Sequence, residues 1–210
     1  RELIGFLNIE NRKIIYLDRW NSCKVDSLFY IFNPNIIPPN FKNDKDMRDN
    51  DLKFNREAVI KLRCMLLKHK SNKSFPKRVF ISRKNASSRR KFNEEDVLKV
   101  LNKYNFVEVA PEEYSISDQI SLFNGADFIA GGSGAAFTNL LFGKSGGKAL
   151  VFAKTKLPFS GFSSIADFAG MELSYFIDTS REINDIDNMH ASFTITTAEP
   201  DSYFSLCFST

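Results

Sequence analysis

The sequence predicts an α/β fold in which a parallel sheet is covered by helices on both faces. From residue 78 onward, short apolar strand-like runs alternate with helical segments, a pattern typical of parallel sheets. Glycine is concentrated in one region, because seven of the ten glycines lie between Gly125 and Gly147. The chain has 210 residues, of which 43% are hydrophobic and 26% charged, so it can bury a core of ordinary size.

The first third of the chain predicts part of a separate N-terminal domain. Residues 14–17 and 25–32 have the apolar and β-branched composition of strands, and residues 33–51 form a polar loop with three prolines. Residues 55–69 carry apolar side chains at helical spacing. A polar linker at 70–76 then gives the predicted division into residues 1–72 and residues 73–210.

The second domain is predicted from regular alternation of strands and helices. Its strands are predicted at 78–82, 106–109, 128–130, 148–153 and 173–177. Its helices are predicted at 93–104, 117–124, 135–142 and 163–169, with Ser115 or Ser117 as the N-cap of the second. Ligands of such sheets bind beyond the carboxyl ends of the strands, so the loops after 78–82 and 128–130 are the two candidates.

Three glycines in four positions follow the strand at 128–130, namely Gly131, Gly132 and Gly134. A strand, a tight turn and a helix N-terminus together favour an anion, because N–H groups and the helix dipole point at the turn. The spacing fits neither the dinucleotide fingerprint nor the P-loop, since Phe137 and Thr138 stand where those motifs require glycine or alanine. An ordinary strand-to-helix turn without a ligand explains the glycines equally well.

Positive charge is concentrated before this turn. The net charge is +4, yet residues 58–93 contain twelve Lys or Arg and no Asp or Glu. The loop at 82–91 supplies five of these cations, and arginine suits phosphate because its planar fork donates two parallel hydrogen bonds. Together with the glycine turn, this loop predicts a diphosphate site that has no acidic cluster suited to Mg²⁺. A solvated basic surface is the alternative for the loop taken alone.

Five short motifs in order resemble those of glycosyltransferase family 61. They are RVFISRK at 78–84, RRKFNE at 89–94, FVEVAPE at 106–112, QISLF at 119–123 and GAAFTN at 134–139. The resemblance implies a GT-B type fold with two Rossmann-like domains, of which the second binds the donor and the first is N-terminally incomplete here. It also implies inverting transfer, without metal or cofactor, from a nucleotide-sugar donor of the UDP type.

The resemblance further implies a glycan or lipid-linked acceptor, a role in bacterial surface polysaccharide synthesis, and a cytoplasmic location that leaves peripheral contact with the inner membrane open. The donor-diphosphate residues that it implies are Arg83, Arg89, Arg90, Ser133, Gly134, Ala135, Thr138 and Asn139. Supporting residues are Asn93, Glu94 and Gln119, each of which has a structural alternative such as a helix cap or a loop contact. The catalytic base is unassigned, and the candidates are Glu112, Glu113, Asp118 and His190.

One departure from the family pattern bears on catalysis. Many members carry His just before the Gly-Ala pair, whereas this chain has Ser133, whose hydroxyl cannot act as an imidazole base. A non-catalytic nucleotide-sugar-binding module therefore stays open as a second function. A nucleic-acid-binding domain is third, because the basic segment lacks aromatic residues spaced as stacking platforms and lacks a helix-turn-helix or zinc-finger pattern. The three cysteines form no metal pattern and are expected to be reduced.

Overall fold

The computed structural model describes residues 2–6, 15–27, 54–85, 92–154, 160–178 and 194–208. Its strands are β1 (Arg78–Ile81), β2 (Val107–Val109), β3 (Phe128–Gly132), β4 (Lys148–Lys154) and β5 (Glu172–Asp178). Its α-helices are α1 (Glu2–Phe6), α2 (Arg56–Leu66), α3 (Glu94–Asn102), α4 (Ile116–Gly125), α5 (Ser160–Ala169) and α6 (Ala198–Phe208). Three 3₁₀ helices span Leu67–His69, Pro111–Glu113 and Ala135–Phe142.

The five strands form one sheet in the order β2-β1-β3-β4-β5, and every neighbouring pair is parallel. The predicted parallel sheet is therefore confirmed. Ile81, the last residue of β1, is in register with Val109 of β2 on one side and with Gly131 of β3 on the other. The chain leaves β1 in one direction to form β2 and returns to the opposite side of β1 to form β3, so the strand order reverses between β1 and β3.

Two apolar cores cover the two faces of this sheet. Successive side chains of a strand point to opposite faces, so Val79 and Ile81 lie in one core while Phe80 lies in the other. The first face is covered by α2, α4, α5 and the 3₁₀ helix Ala135–Phe142, and the second by α3 and α6. The chain from β1 thus crosses one face and the chain from β3 crosses the other, which separates the loops that follow these two strands.

The helix predicted at 55–69 is confirmed as α2 with the 3₁₀ turn Leu67–His69 behind it. Asn55 caps it, because its side chain accepts a hydrogen bond from the N–H of Ala58 at 2.9 Å. Leu66 is buried in the first-face core, and Arg63 donates to the carbonyl of Gly143 at 2.6 Å. Helix α2 therefore packs on the sheet, and the domain boundary placed after it stays a prediction.

Three local predictions differ from the structure. Residues 15–17 and 25–27 are not strands, and the remainder of those two predicted strands and the loop at 33–51 lie outside the described residues. Ala135–Phe142 is a 3₁₀ helix rather than an α-helix, and the N–H of Phe137 bonds the carbonyl of Gly134, three residues back. Helix α6 was not predicted, although its Phe204 is fully buried. No helix in the described part of the chain combines the length and apolarity that crossing a bilayer requires.

Candidate functional site

The point between β1 and β3, where the strand order reverses, is where open parallel sheets bind ligands. We call it the switch point. In open parallel sheets the loops beyond two such carboxyl ends run to opposite faces, and ligands bind in the crevice between them. The residues that follow β1 are Ser82 and Arg83, and those that follow β3 are Ser133 and Gly134. The two loops singled out in the sequence are therefore neighbours at this point.

The Arg83 side chain joins the two loops. Its Nη1 donates to the carbonyl oxygen of Ser133 at 2.8 Å. A Cβ atom added at Gly134 would lie 3.7 Å from the Arg83 Cζ, so the guanidinium is in contact range of the glycine turn. A cation is thus held half-buried beside the N-terminus of the 3₁₀ helix Ala135–Phe142. Both contributions favour a negatively charged group at the same place.

Glu94 fixes the backbone of Arg83. Its Oε1 accepts a hydrogen bond from the Arg83 N–H at 2.9 Å, and Glu94 itself lies in the first turn of α3. The preceding residue, Ser82, donates its N–H to the carbonyl of Val109 at 2.8 Å. The direction of the Arg83 side chain is therefore set by the start of a helix and by a neighbouring strand. Glu94 therefore has a positioning role toward Arg83, and its place in the first turn of α3 also suits its structural alternative as a partner of the helix dipole.

The glycines of the turn are required for two different reasons. A Cβ at Gly131 would lie 2.8 Å from the Ile81 carbonyl oxygen, and one at Gly132 would lie 2.6 Å from the Phe92 ring. Both distances are below normal contact, so the last two residues of β3 are glycine because of packing. At Gly134 the nearest atoms would be 3.7 Å away or more, and they belong to Arg83 and to a backbone carbonyl. A Cβ at Gly134 would therefore be accommodated without a clash, unlike one at Gly131 or Gly132.

Some polar groups of the turn are already engaged within the protein. The N–H of Ser133 bonds the carbonyl of Phe152 at 2.8 Å, and Ser133 is only 7% exposed. Thr138 donates its hydroxyl to the carbonyl of Ala135 at 2.7 Å. The first N–H groups of a helix have no acceptor within that helix. The backbone at Gly134 and Ala135 is therefore better suited to hold an anion than the amide of Ser133.

Asn139 and Gln119 form a bridge between two elements. The amide nitrogen of Asn139 donates to the Gln119 side-chain oxygen at 2.9 Å, and the Gln119 amide nitrogen donates to the carbonyl of Tyr114 at 3.1 Å. This bridge holds the 3₁₀ helix Ala135–Phe142 against the loop that precedes α4. Gln119 therefore has the loop-holding role that was its structural alternative, and Asn139 shares it.

Asn93 is not a helix cap of the usual kind. It precedes α3, but its side chain makes no capping hydrogen bond. Instead its Oδ1 accepts from the N–H of Ile195 at 2.8 Å and its Nδ2 donates to the carbonyl of the same residue at 3.0 Å. Asn93 thus occupies the N-cap position, as its alternative predicts, but its side chain does not cap the helix. Asn93 ties the start of α3 to the segment that leads into α6.

Glu113 holds Lys84 and Asn85, which follow Arg83 in the chain, and we call these two contacts the Glu113 latch. Glu113 accepts a hydrogen bond from the Asn85 amide at 3.0 Å and pairs with the Lys84 ammonium at 3.3 Å. The Asn85 hydrogen bond, followed by the Lys84 contacts, lowers the pKa of the Glu113 carboxyl from its ordinary value. The carboxylate therefore stays ionised at neutral pH, and a lowered pKa makes it a weaker proton acceptor.

Asp118 is similarly engaged. The residue is 6% exposed, and its carboxylate pairs with the Lys73 ammonium at 2.7 Å. The Lys73 contact and hydroxyl hydrogen bonds from Ser71 and Ser115 lower the pKa of Asp118. This environment argues against a base with a pKa near neutrality. Glu112 is exposed in the 3₁₀ turn beyond β2, and His190, Arg89 and Arg90 lie outside the described residues.

Phe92 is a residue of this site that the sequence analysis did not single out. Its ring lies against Gly132 and packs on Phe152, with the ring centroids 6.0 Å apart. Its position just before α3, at the end of the basic loop, was visible in the sequence. Its contact with a glycine forty residues later was not, because that contact depends on the adjacency of β1 and β3.

The fold and the switch point define an α/β protein whose parallel sheet presents a cation and a helix N-terminus at the place where phosphate-bearing ligands bind. The family model described as Glycosyltransferase 61 matches residues 5–150, about two thirds of the chain. The chain belongs to glycosyltransferase family 61. The match begins well before the motifs that carried the resemblance, so it includes the region before β1. The family suggests glycosyltransferase activity, and no curated protein matches the chain.

Proposed function

We propose that the protein transfers a sugar, with inversion, from a nucleotide-diphosphate sugar of the UDP type to a glycan or lipid-linked acceptor in bacterial surface polysaccharide synthesis. The observation that carries the donor assignment is the contact of Arg83 with the turn at Ser133 and Gly134. A diphosphate there would meet a guanidinium and a helix N-terminus together. Preorganised positive charge of this kind stabilises a leaving group as its negative charge develops.

In this proposal the parallel sheet is the donor domain of a GT-B arrangement, and residues 1–72 belong to the acceptor side. Helix α2 lies next to this boundary in the chain and packs on the first face of the sheet through Leu66, while Arg63 bonds the carbonyl of Gly143. The protein would work in the cytoplasm, with its acceptor at the surface of the inner membrane. Cofactors are absent from the proposed reaction.

The chemistry requires one bond to form as another breaks. The acceptor hydroxyl oxygen bonds to the anomeric carbon while the bond from that carbon to the diphosphate oxygen breaks, and the electron pair leaves with the diphosphate. A base takes the hydroxyl proton. Arg83 would balance the charge on the diphosphate, whereas Asp118 and Glu113 are poor bases because lysine and amide contacts lower their pKa values.

Replacing Arg83 tests the donor site. Arg83→Ala should weaken binding of UDP by about 1.5–3 kcal/mol, the range for a charged hydrogen bond, as measured by isothermal titration calorimetry. Arg56→Ala is the matched control, because it removes the same charge from α2, where Arg56 pairs with the exposed Asp167. Equal affinity of the Arg83 variant and the wild type would remove the basis of the proposal. An equal loss in both variants would indicate a general charge effect instead.

Chelation tests the absence of a metal from the proposed reaction. EDTA should leave the transfer rate unchanged, since the proposal assigns the leaving-group charge to Arg83 and the helix N-terminus. Activity is measured as release of nucleoside diphosphate in the presence of acceptor. Loss of activity that Mg²⁺ or Mn²⁺ restores would contradict this part of the proposal and would leave the Arg83 assignment standing.

Ser133 favours a second candidate function, a module that binds a nucleotide-sugar without turnover. It is almost fully buried and stands where many relatives have His, so it offers no proton acceptor to the turn. Donor binding without release of nucleoside diphosphate across a panel of acceptors would support this candidate. Acceptor-dependent release would rule it out.

A further inference from the structure

We propose that Phe92 is the platform on which the nucleoside of the donor packs. This inference rests on the proposed function and names a further residue of the same site. It is drawn from the position of the Phe92 ring at the switch point. The ring lies against Gly132, and Gly134, the glycine that Arg83 contacts, follows two residues later.

The geometry fixes where the ring lies. Phe92 Cε1 would be 2.6 Å from a Cβ at Gly132, so the ring edge rests directly on the backbone of the final residue of β3. Phe152 of β4 supports it from the second face of the sheet, at 6.0 Å between centroids and 35° between planes. Phe92 is half-buried, whereas its neighbour Phe152 is fully buried.

The same short segment fixes both ends of the proposed contact. The carbonyl of Phe92 accepts the N–H of Glu94 at 2.7 Å, and the Glu94 carboxylate holds the N–H of Arg83 at 2.9 Å. The ring therefore lies against Gly132 and the guanidinium against Gly134, the two residues that flank Ser133 in the chain. A ligand whose phosphates lie at Arg83 and Gly134 would have the group attached to them within reach of Phe92.

A nucleoside fits such a ring better than a phosphate does. A nucleobase has a planar π face and an apolar surface, and stacking on an aromatic side chain tolerates any base. The phosphates, by contrast, gain nothing from a neutral ring. Loss of the Phe92 ring should therefore weaken the nucleoside part of the binding free energy and leave the phosphate part unchanged. Loss of Arg83 should do the reverse and weaken the phosphate part.

Titration of the full chain with two probes separates these contributions. The first probe is inorganic pyrophosphate, and the second is whichever of UDP, GDP, CDP and ADP the wild type binds most tightly. Phe92→Leu should reduce affinity for the nucleoside diphosphate by about fivefold or more, the lower end of the range for losing a stacked base. Its affinity for pyrophosphate should match the wild type. Phe92→Tyr keeps the ring and should restore most of the nucleoside affinity.

Pyrophosphate binding also reports that the variant is folded with an intact anion site, which guards against an effect of lost packing on Phe152. Unchanged nucleoside diphosphate affinity in Phe92→Leu would overturn the inference, and so would a parallel loss for both probes. A wild type that binds pyrophosphate as tightly as every nucleoside diphosphate would overturn it too, while the anion site would stand. Failure of the wild type to bind either probe would reject the proposed function itself.

Discussion

The end of β3 and the turn that follows it both carry glycine, but their surroundings differ. Gly131 and Gly132 are enclosed, because a Cβ at either position would lie less than 3.0 Å from Ile81 or Phe92. Gly134 is not enclosed in this way, because a Cβ there would be at ordinary contact distance from Arg83 and from the Gly132 carbonyl. One glycine-rich stretch thus serves the packing of a sheet at one end and meets the Arg83 guanidinium of the proposed donor site at the other.

The difference shows that a high density of glycine indicates that some group lies close to the backbone. It does not say which group that is. At Gly131 the approaching group is the backbone of β1, and at Gly132 it is an aromatic ring from the start of α3. Only at Gly134 is the neighbour a cation, and a cation beside a helix N-terminus attracts an anion. The candidate anion site is therefore marked by Gly134 and Arg83 and not by the number of glycines.

The largest effect on stability is expected at Gly131. In Gly131→Ala the new Cβ would be 2.8 Å from a backbone oxygen of Ile81, and neither strand can move without losing its pairing. Overpacking of this kind costs about 1–3 kcal/mol of the free energy of unfolding, measurable by urea denaturation. Gly134→Ala is the matched control and should stay within about 0.5 kcal/mol of the wild type. Equal destabilisation of the two variants would break the comparison.

A smaller loss is expected at Gly132, because its close neighbour is a side chain. In Gly132→Ala the Phe92 ring must turn away from a Cβ that would be 2.6 Å from its edge. Forcing a side chain off its preferred rotamer costs about 0.5–1.5 kcal/mol. Combining Gly132→Ala with Phe92→Leu should recover part of that loss in a double-mutant cycle of unfolding free energies. Strict additivity would mean that Phe92 does not enclose this position.

The smallest effect is expected on the pH dependence of the unfolding free energy. It arises from the charged residues that follow β1 and not from the apolar end of β3. Asn85 and Lys84 lower the pKa of Glu113 in the folded protein, so the contribution of this carboxylate is complete above the unfolded value of about 4.3. It is lost as pH falls through the lower folded pKa. As pH falls from about 4.3 through the folded pKa, the unfolding free energy of the wild type should therefore fall more steeply than that of Glu113→Gln. Parallel pH profiles would show that the latch contributes nothing to stability.

The elements themselves could be predicted because their signals are local. The apolar runs that became β1, β3, β4 and β5 and the stripe of α3 each lie within a dozen residues, and Ser115 was one of the two predicted caps of α4. The strand predictions at 15–17 and 25–27 failed because a β-branched and aromatic composition forms a strand only where another strand pairs with it. Helix α6 was missed because its apolar residues form no clear stripe in the sequence.

The candidate site divides in the same way. The basic loop, the glycine turn and the family motifs could be found in the sequence, since each is a short run of residues with distinctive chemistry. The roles of Asn93, Gln119 and Asn139 as bridges could not, because their partners are Ile195, Tyr114 and one another, brought together by the fold. Phe92 was overlooked for the same reason.

By itself the sequence determined that this protein has strands alternating with helices, a cation-rich loop after one strand and a glycine turn after another. Those properties follow from short-range periodicity and residue chemistry, which need no knowledge of the rest of the chain. Only the tertiary structure decided that β1 and β3 are neighbours and that Arg83 reaches Ser133 and Gly134. Strand order depends on which apolar faces can be buried together, and that is a property of the whole core rather than of any one segment.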